Sequence, residues 1–268
     1  MTTETINIFI VSVASLSLIG LLAGLILAYA ARKFAVKVDP RIEEVARTLP
    51  GANCGACGFA SCNAFAEALV QGKADLGLCK LSPDAQRKEI ARLLGIEATK
   101  VENKIAVIRC GAGKELCQSR FEYKGVKTCK AETQVMGGSL SCEQGCLAWG
   151  DCVDVCPFDA MKRNGNNPPI IDRNKCTGCG KCVAACPRGL ILLVPRKQQV
   201  YVLCNTKDKA ADVRKNCKVG CIACRICVKK CPTQAITMEG RIPVIDAEKC
   251  TVQEECIKVC PKKTIKKI

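Results

Sequence analysis

"KCTGCGKCVAACP", Lys175 to Pro187, decides how the rest of the chain is read. Cys176, Cys179 and Cys182 recur at every third residue, Cys186 follows, and Pro187 turns the chain away. Seventy-four positions later "KCTVQEECIKVCP", Lys249 to Pro261, repeats the stretch without a gap. Cys250, Cys256 and Cys260 match Cys176, Cys182 and Cys186, but Gln253 stands where Cys179 predicts a cysteine. The whole chain, 268 residues, carries 24 cysteines and no histidine. The missing histidine excludes Ser-His-Asp catalysis, imidazole general-base chemistry and His-ligated metals. Aromatic content is only 4%, so large aromatic cores are not available, and small domains of this kind need disulfides or metals as staples.

The compartment separates those two staples, since disulfide frameworks belong to secreted chains and dense short-spaced cysteines in reducing compartments belong to metals. Ile6 to Ala31 is a run of 26 residues without a charge. At about 1.5 Å per residue it is long enough to cross a ~30 Å hydrocarbon core. A cleaved signal peptide is the competing reading, and "AYA" at Ala28–Ala30 resembles a cleavage site. However, "MTTET" lacks a positive charge, and the apolar run exceeds a signal h-region. The basic flank "ARKFAVK" follows the run, so the positive-inside rule predicts a single-pass plasma-membrane (cell inner membrane) anchor with residues 32–268 on the cytoplasmic side. The formal charge of +16 overstates the basic excess, because metal-bound cysteines are thiolates. The C-terminal "PKKTIKKI" is read as a solvated tail, with attraction to an acidic protein or anionic lipid as the functional alternative.

Three cysteines at C-x2-C-x2-C spacing wrap one corner of an iron–sulfur cubane, and the cysteine before the proline ligates the neighbouring cluster. Zinc ribbons use separated CxxC pairs and have no need of this third step. In the first unit, Cys142, Cys146, Cys152 and Cys156-Pro157 precede the opening run, with Trp149 where the spacing predicts a cysteine. Cys142 is the nearest substitute. The crossed pattern then predicts one cluster on Cys142, Cys146, Cys152 and Cys186, and another on Cys156, Cys176, Cys179 and Cys182. The second unit has a complete run at Cys221, Cys224, Cys227 and Cys231, with Cys217 equivalent to Cys142. It predicts a third cluster on Cys221, Cys224, Cys227 and Cys260, and a fourth on Cys231, Cys250 and Cys256 that is one ligand short at Gln253. Nearer the anchor, Cys54, Cys57, Cys62 and Cys79 form a further set, for which zinc is the alternative. Cys110, Cys117, Cys129, Cys204 and Cys217 remain as possible further ligands. Buried small hydrophobes are the ordinary reading of such cysteines, yet 24 is six fours. Cys204 or Cys217 would complete the Gln253 site, and the other would join Cys110, Cys117 and Cys129. The chain thus holds at least four 4Fe–4S clusters and at most six.

The local signals are brief. "DPRIEEVARTLP" predicts a helix ended by Pro50 and Gly51, and helices are expected from Ala64 to Val70 and from Pro83 to Leu94, the last capped by Ser82. "KIAVIRC" and "FEYKGVKTC" predict short strands, and from Ser141 the chain reads as a tandem repeat marked by "IIDRNKC" and "VIDAEKC".

"LPGANCGACGFASC" with Cys79 resembles the four-iron domain of the B subunits of Rnf complexes, which is shared with the large subunit of corrinoid iron–sulfur proteins. "RCGAGKELCQSRFEYKGVKTCKA" and "GCLAWGDCVDVCPFDAMK" are similar to the longer, multi-cluster clostridial form of the Rnf B subunits. The resemblance covers essentially the whole chain. It implies an α+β fold: transmembrane anchor (1–32), four-iron domain (33–95), connecting segment (96–134), two-cluster ferredoxin domain (135–196), basic connector (197–215) and second ferredoxin domain (216–268). It further implies an electron-transfer subunit of a translocase that couples ferredoxin:NAD oxidoreduction to Na⁺ or H⁺ movement. Electrons would arrive from a soluble acidic ferredoxin and leave to membrane, flavin and NAD-binding subunits. No GxGxxG fingerprint occurs, so nucleotide chemistry falls to partners. The alternative is an anchored polyferredoxin subunit of a hydrogenase or other reductase. A corrinoid-protein role lacks the length for a cobalamin-binding region, and a zinc-dependent nucleic-acid-binding role lacks stacking aromatics.

Overall fold

The computed structural model describes residues 3–34, 39–97 and 102–268, and two units are distinguished, residues 1–44 and 45–268. Lys37 of the basic flank lies outside the described residues. In the first unit α1 (Thr3–Lys33) is one continuous helix. Its segment Ile10–Lys33 has a mean hydropathy of 2.5 and none of it is buried in protein. A helix that exposes Val13, Leu16, Leu18, Ile19 and Leu21 around its whole circumference has no aqueous home, since water would have to cover its whole apolar surface.

After α2 (Pro40–Thr48), the four-iron region is built from α3 (Cys62–Val70), a single 3₁₀ turn at Leu76–Leu78 and α4 (Asp84–Leu94). Ser61 Oγ accepts from the Ala64 N–H at 3.1 Å and starts α3, satisfying one of the unpaired donors of the first turn. Val45, Phe65, Leu76 and Ile90 fill the core between these helices. Ser82 does not cap α4 as expected: Pro83 occupies the cap position without a side-chain bond, and the buried Ser82 hydroxyl finds no partner among the described residues. Its carbonyl instead accepts from the Arg87 guanidinium. Gly95, at φ +67°, ends the helix in the left-handed conformation.

The remainder is one design used twice. β1 (Lys104–Ile108), α5 (Gly113–Leu116), α6 (Cys129–Gln134), α7 (Asp151–Asp154), β2 (Met161–Asn164), β3 (Asn167–Ile171), α8 (Lys181–Ala185) and β4 (Ile191–Pro195) form the first copy. β5 (Val200–Val202), α9 (Ala210–Asn216), α10 (Ile226–Lys229), β6 (Ile236–Glu239), β7 (Ile242–Ile245), α11 (Glu255–Lys258) and β8 (Ile265–Lys267) form the second. In each, the first and last strands pair antiparallel (Ile108 with Ile191, Val202 with Ile265), and the two middle strands make a hairpin. The backbone repeats in detail: Asp172 N–H bonds Ala160 O and Asp246 N–H bonds Ala235 O, both at 2.8 Å.

This pairing redraws two expected boundaries. Residues 104–108 were expected in a connecting segment and 200–202 in a basic connector, but β1 and β5 are the edge partners of β4 and β8. Buried apolar residues on them explain the recruitment, Ile105 in the first core and Val200 in the second. The strand expected in "FEYKGVKTC" does not form. Residues 121–128 are irregular and pair with no strand, and Tyr123 Oη donates to the Val126 carbonyl at 3.1 Å across a local turn.

Candidate metal centres

Each short-spaced cysteine run lies on a loop that closes into a one-turn helix, which places successive sulfurs around a common void. The loops rely on left-handed residues between the cysteines: Gly178 and Gly180 in the first copy (φ +69° and +84°), Ala223 and Arg225 (φ +55° and +60°) in the second. At Gly178 a Cβ would stand 2.3 Å from the Lys104 carbonyl oxygen, so only glycine lets β1 approach the Cys176–Cys179 loop this closely. The Gln253 loop keeps the same path with Val252 and Glu254 at φ +57° and +63°, each a strained choice for a side-chain-bearing residue.

The sulfurs gather as follows. Cys221, Cys224, Cys227 and Cys260 line one pocket between α10 and β8, in the grouping anticipated from spacing. Cys156, Cys176 and Cys179 surround Cys182, whose thiol is pushed up to about 12 by burial and then by these neighbours. Cys57 and Cys62 stand beside Cys79, with Cys54 three residues before Cys57 in the same loop. The loop is held by Asn53 Oδ1, which accepts from the Cys62 N–H at 2.8 Å.

The remaining expected sets regroup. One pocket is lined by Cys129, Cys146, Cys152 and Cys186, so Cys129 and not Cys142 stands with the other three. Cys129 begins α6, and two anchors dock that helix. Asp151 accepts from the Cys129 and Lys130 N–H groups at 2.8 and 3.0 Å, one residue before Cys152. One turn after Cys129, Glu132 is 0% exposed. Its carboxylate accepts from the Trp149 indole N–H, the Ser139 hydroxyl, the Ser139 N–H at 3.1 Å and Lys114 Nζ at 3.1 Å. Burial alone would raise the Glu132 carboxyl, but these bonds together hold it below the usual range. Trp149, in the expected ligand slot, thus fixes the helix that delivers the substitute.

Cys142 lines another pocket, together with Cys110, Cys117, Cys204 and Cys217. Cys204 and Cys217 therefore do not complete the Gln253 loop, where Cys231 and Cys250 are the cysteines found beside Cys256. The even division into six fours becomes four fours, a three and a five. Spacing could not reveal this, because the regrouped cysteines arrive from distant segments. A faint signal existed in the matching strands "KIAVIRC" and "QVYVLC", each ending two residues before a buried cysteine.

Among the described residues, no three His, Cys, Asp or Glu side chains converge as a single ion requires. Around Zn²⁺ the sulfurs would close to about 3.8 Å of one another, given Zn–S bonds of ~2.3 Å. Cysteines that ring a shared space without converging on one point fit a bulkier inorganic core. Backbone N–H groups aim at the sulfurs, Ala106 at Cys176 (3.4 Å), Leu190 at Cys186 (3.5 Å) and Thr264 at Cys260 (3.4 Å), which favours thiolate. The donor set and voids fit iron–sulfur clusters.

Comparison with known proteins agrees. An Fe-S cluster family matches residues 49–81, a 4Fe-4S binding domain matches 169–192 and a 4Fe-4S dicluster domain matches 220–264. The chain is 39% identical over 259 residues to the B subunit of the ion-translocating oxidoreductase complex of Methanosarcina acetivorans, covering 97% of this chain and 98% of that one. It is 41% identical to the B subunit of the Na(+)-translocating ferredoxin:NAD(+) oxidoreductase complex of Acetobacterium woodii, covering 96% and 77%. It is also 41% identical to the B subunit of the proton-translocating ferredoxin:NAD(+) oxidoreductase complex of Clostridium ljungdahlii, covering 98% and 93%. An apolar anchor-like helix, an iron–sulfur domain and a duplicated ferredoxin-like unit, matched from end to end at this identity, make the chain a member of the family of B subunits of ion-translocating oxidoreductase complexes.

Proposed function

We propose that this chain is the iron–sulfur electron-transfer subunit of a membrane-bound ferredoxin:NAD oxidoreductase that translocates ions, held by α1 with its cysteine domains on the cytoplasmic side. The observation that carries this reading is the series of cysteine-lined voids within a chain similar over nearly its full length to such subunits. That full-length similarity favours it over a polyferredoxin subunit of a hydrogenase. Four quartets would hold 4Fe–4S clusters: Cys54, Cys57, Cys62 and Cys79; Cys129, Cys146, Cys152 and Cys186; Cys156, Cys176, Cys179 and Cys182; Cys221, Cys224, Cys227 and Cys260. Cys231, Cys250 and Cys256 offer three sulfurs to a further centre beside Gln253. When bound, such clusters supply one-electron carriage without proton chemistry.

The chain's own residues hold the sulfurs, direct N–H groups at them and keep water away. Cys146, Cys152, Cys176, Cys182, Cys227 and Cys256 are buried, and low solvent access is one lever on cluster potential. Arg188 donates to the Cys142 and Gly145 carbonyls at 3.3 and 2.5 Å, and Arg196 to the Cys176 carbonyl at 2.6 Å. Both guanidiniums brace ligand loops. The Lys and Arg excess, 41 against 25 acids, suits docking of a soluble acidic ferredoxin, while NAD and flavin belong to partner subunits.

The test is anaerobic purification of the full chain with iron, sulfide and zinc counts, followed by reduction with reduced ferredoxin. At least about 16 irons with matching sulfide, and EPR signals that ferredoxin reduces, are expected from four clusters. Zinc without sulfide overturns the reading.

A further inference from the structure

We propose that Cys110, Cys142, Cys204 and Cys217 ligate an additional iron–sulfur centre on the pseudo-twofold between the two ferredoxin-like copies. The inference rests on reading the four quartets as cluster sites. The space there is of the same extent as the spaces lined by two of those quartets. Five cysteines, drawn from both copies, face this one space.

The ligand choice follows from symmetry. Cys110 lies two residues beyond β1 and Cys204 two beyond β5, and the strand ends meet where Gly111 N–H bonds the Leu203 carbonyl at 3.0 Å. Cys146 N–H points at Cys110 Sγ at 3.3 Å, and Cys221 N–H points at Cys204 Sγ, also at 3.3 Å. Cys142 and Cys217 are likewise equivalent, each bonded by the N–H two residues on, from Gln144 and from Val219. Cys117 has no counterpart, since Ala211 occupies the matching position seven residues after Cys204. It instead shares a hydrogen bond with Cys217, which makes it a positioning residue that tunes a ligating sulfur.

The placement has a consequence for the relay. Cys146 belongs to a quartet of the first copy and Cys221 to a quartet of the second. A centre on Cys110 and Cys204 would therefore sit one hydrogen bond from a ligand of each. Two ferredoxin-like copies would form one continuous conductor.

The competing chemistry is a disulfide. Cys117 and Cys217 face each other across an antiparallel bridge flanked by the Gln118 N–H to Asn216 O and Lys218 N–H to Leu116 O bonds. This is the closely spaced, non-hydrogen-bonded pairing.

The experiment counts iron, labile sulfide and zinc in the anaerobically purified full chain and in three variants. Cys110→Ala/Cys204→Ala should lose about four irons and four sulfides relative to wild type, with the EPR signals of the other clusters retained. Cys204→Ser, nearly isosteric, gives the same readout where the double variant does not accumulate. Cys117→Ala should keep its iron and shift the midpoint potential of one centre. Unchanged iron in both the double and the Cys204→Ser variants overturns the proposal. So does loss of zinc in place of iron, or a Cys117–Cys217 disulfide found by mass spectrometry of the alkylated wild type. Cys224→Ala separates the two readings: if it too loses no iron, the quartet assignment itself has failed.

Discussion

Replacing Glu132 by alanine removes the carboxylate on which the docking of α6 converges. Four donors lose their acceptor: the Trp149 indole N–H, both Ser139 groups and the Lys114 ammonium. Lys114 keeps its place 3.7 Å from the centre of the Trp149 ring, and at 20% side-chain exposure it is partly hydrated, which limits the loss. Leaving a buried donor unpaired costs about 1–3 kcal/mol, and breaking a buried ion pair by removing one partner costs about 3–5 kcal/mol. Allowing for water entry and for the surviving Asp151 bonds to Cys129 and Lys130, about 3 kcal/mol of docking energy disappears. At ~1.4 kcal/mol per decade, the population of undocked α6 rises roughly 100-fold. Hydrogen exchange by mass spectrometry on residues 129–135 reads this directly, and the rate of iron loss to a ferrous chelator reads its consequence at Cys129. Glu132→Gln should fall between, because its amide still accepts but carries no charge for Lys114. The wild-type network should be insensitive to pH from about 5 to 8. A carboxyl held below its ordinary value contributes its full stability above ~4.3 and loses it only as pH falls through the lowered folded value. Unchanged exchange and unchanged iron retention in Glu132→Ala would refute the docking argument.

Cys129→Ala should cost the Cys146/Cys152/Cys186 site its EPR signal, whereas Cys142→Ala should leave that signal in place; the opposite result restores the spacing-based quartet. Gln253→Cys should raise iron by about one per chain, converting a three-sulfur site to a four-sulfur one, and an unchanged count would mean that another ligand already serves there. Gly178→Ala places a Cβ 2.3 Å from the Lys104 carbonyl at φ +69°, and should cost about 2–4 kcal/mol, seen as faster chelator-driven loss of one cluster. Burial pushes the metal-free Cys152, Cys182 and Cys204 thiols up to about 12, so all three are protonated at pH 7. Cluster loading must then release protons in a pH-stat and weaken as pH falls, while the metal-free fold loses stability as pH rises above ~9. Loading without proton release would mean that these thiols are not the ligands.

How far the sequence reached depended on the distance between partners. Ligands three residues apart share one loop, so Cys176, Cys179 and Cys182 cannot avoid a common centre, and their spacing identifies its chemistry before any fold is known. The 26 uncharged residues of the anchor and the repeat linking Lys175–Pro187 to Lys249–Pro261 are likewise properties of the chain in one dimension. The crossed positions of Cys186 and Cys260 were expected from the proline-terminated runs, and each cysteine lines a pocket with those of the neighbouring run.

Where a ligand arrives from a remote segment, spacing is silent. Beside Trp149 the sequence favoured Cys142, the nearer cysteine, and set Cys129 with Cys110 and Cys117. What separates them is a buried carboxylate that accepts from the indole and an aspartate that accepts from the first turn of α6. Cys204 and Cys217 looked free to complete the Gln253 loop, until the pairing of β5 with β8 and its junction with β1 carried them to the void between the copies. The sequence by itself determined the iron–sulfur character of the cysteine runs and the place of the long apolar helix, because short-range geometry and hydrophobicity are local. Only the tertiary structure decided which distant cysteine meets which, because that depends on the docking energy of whole helices and strands.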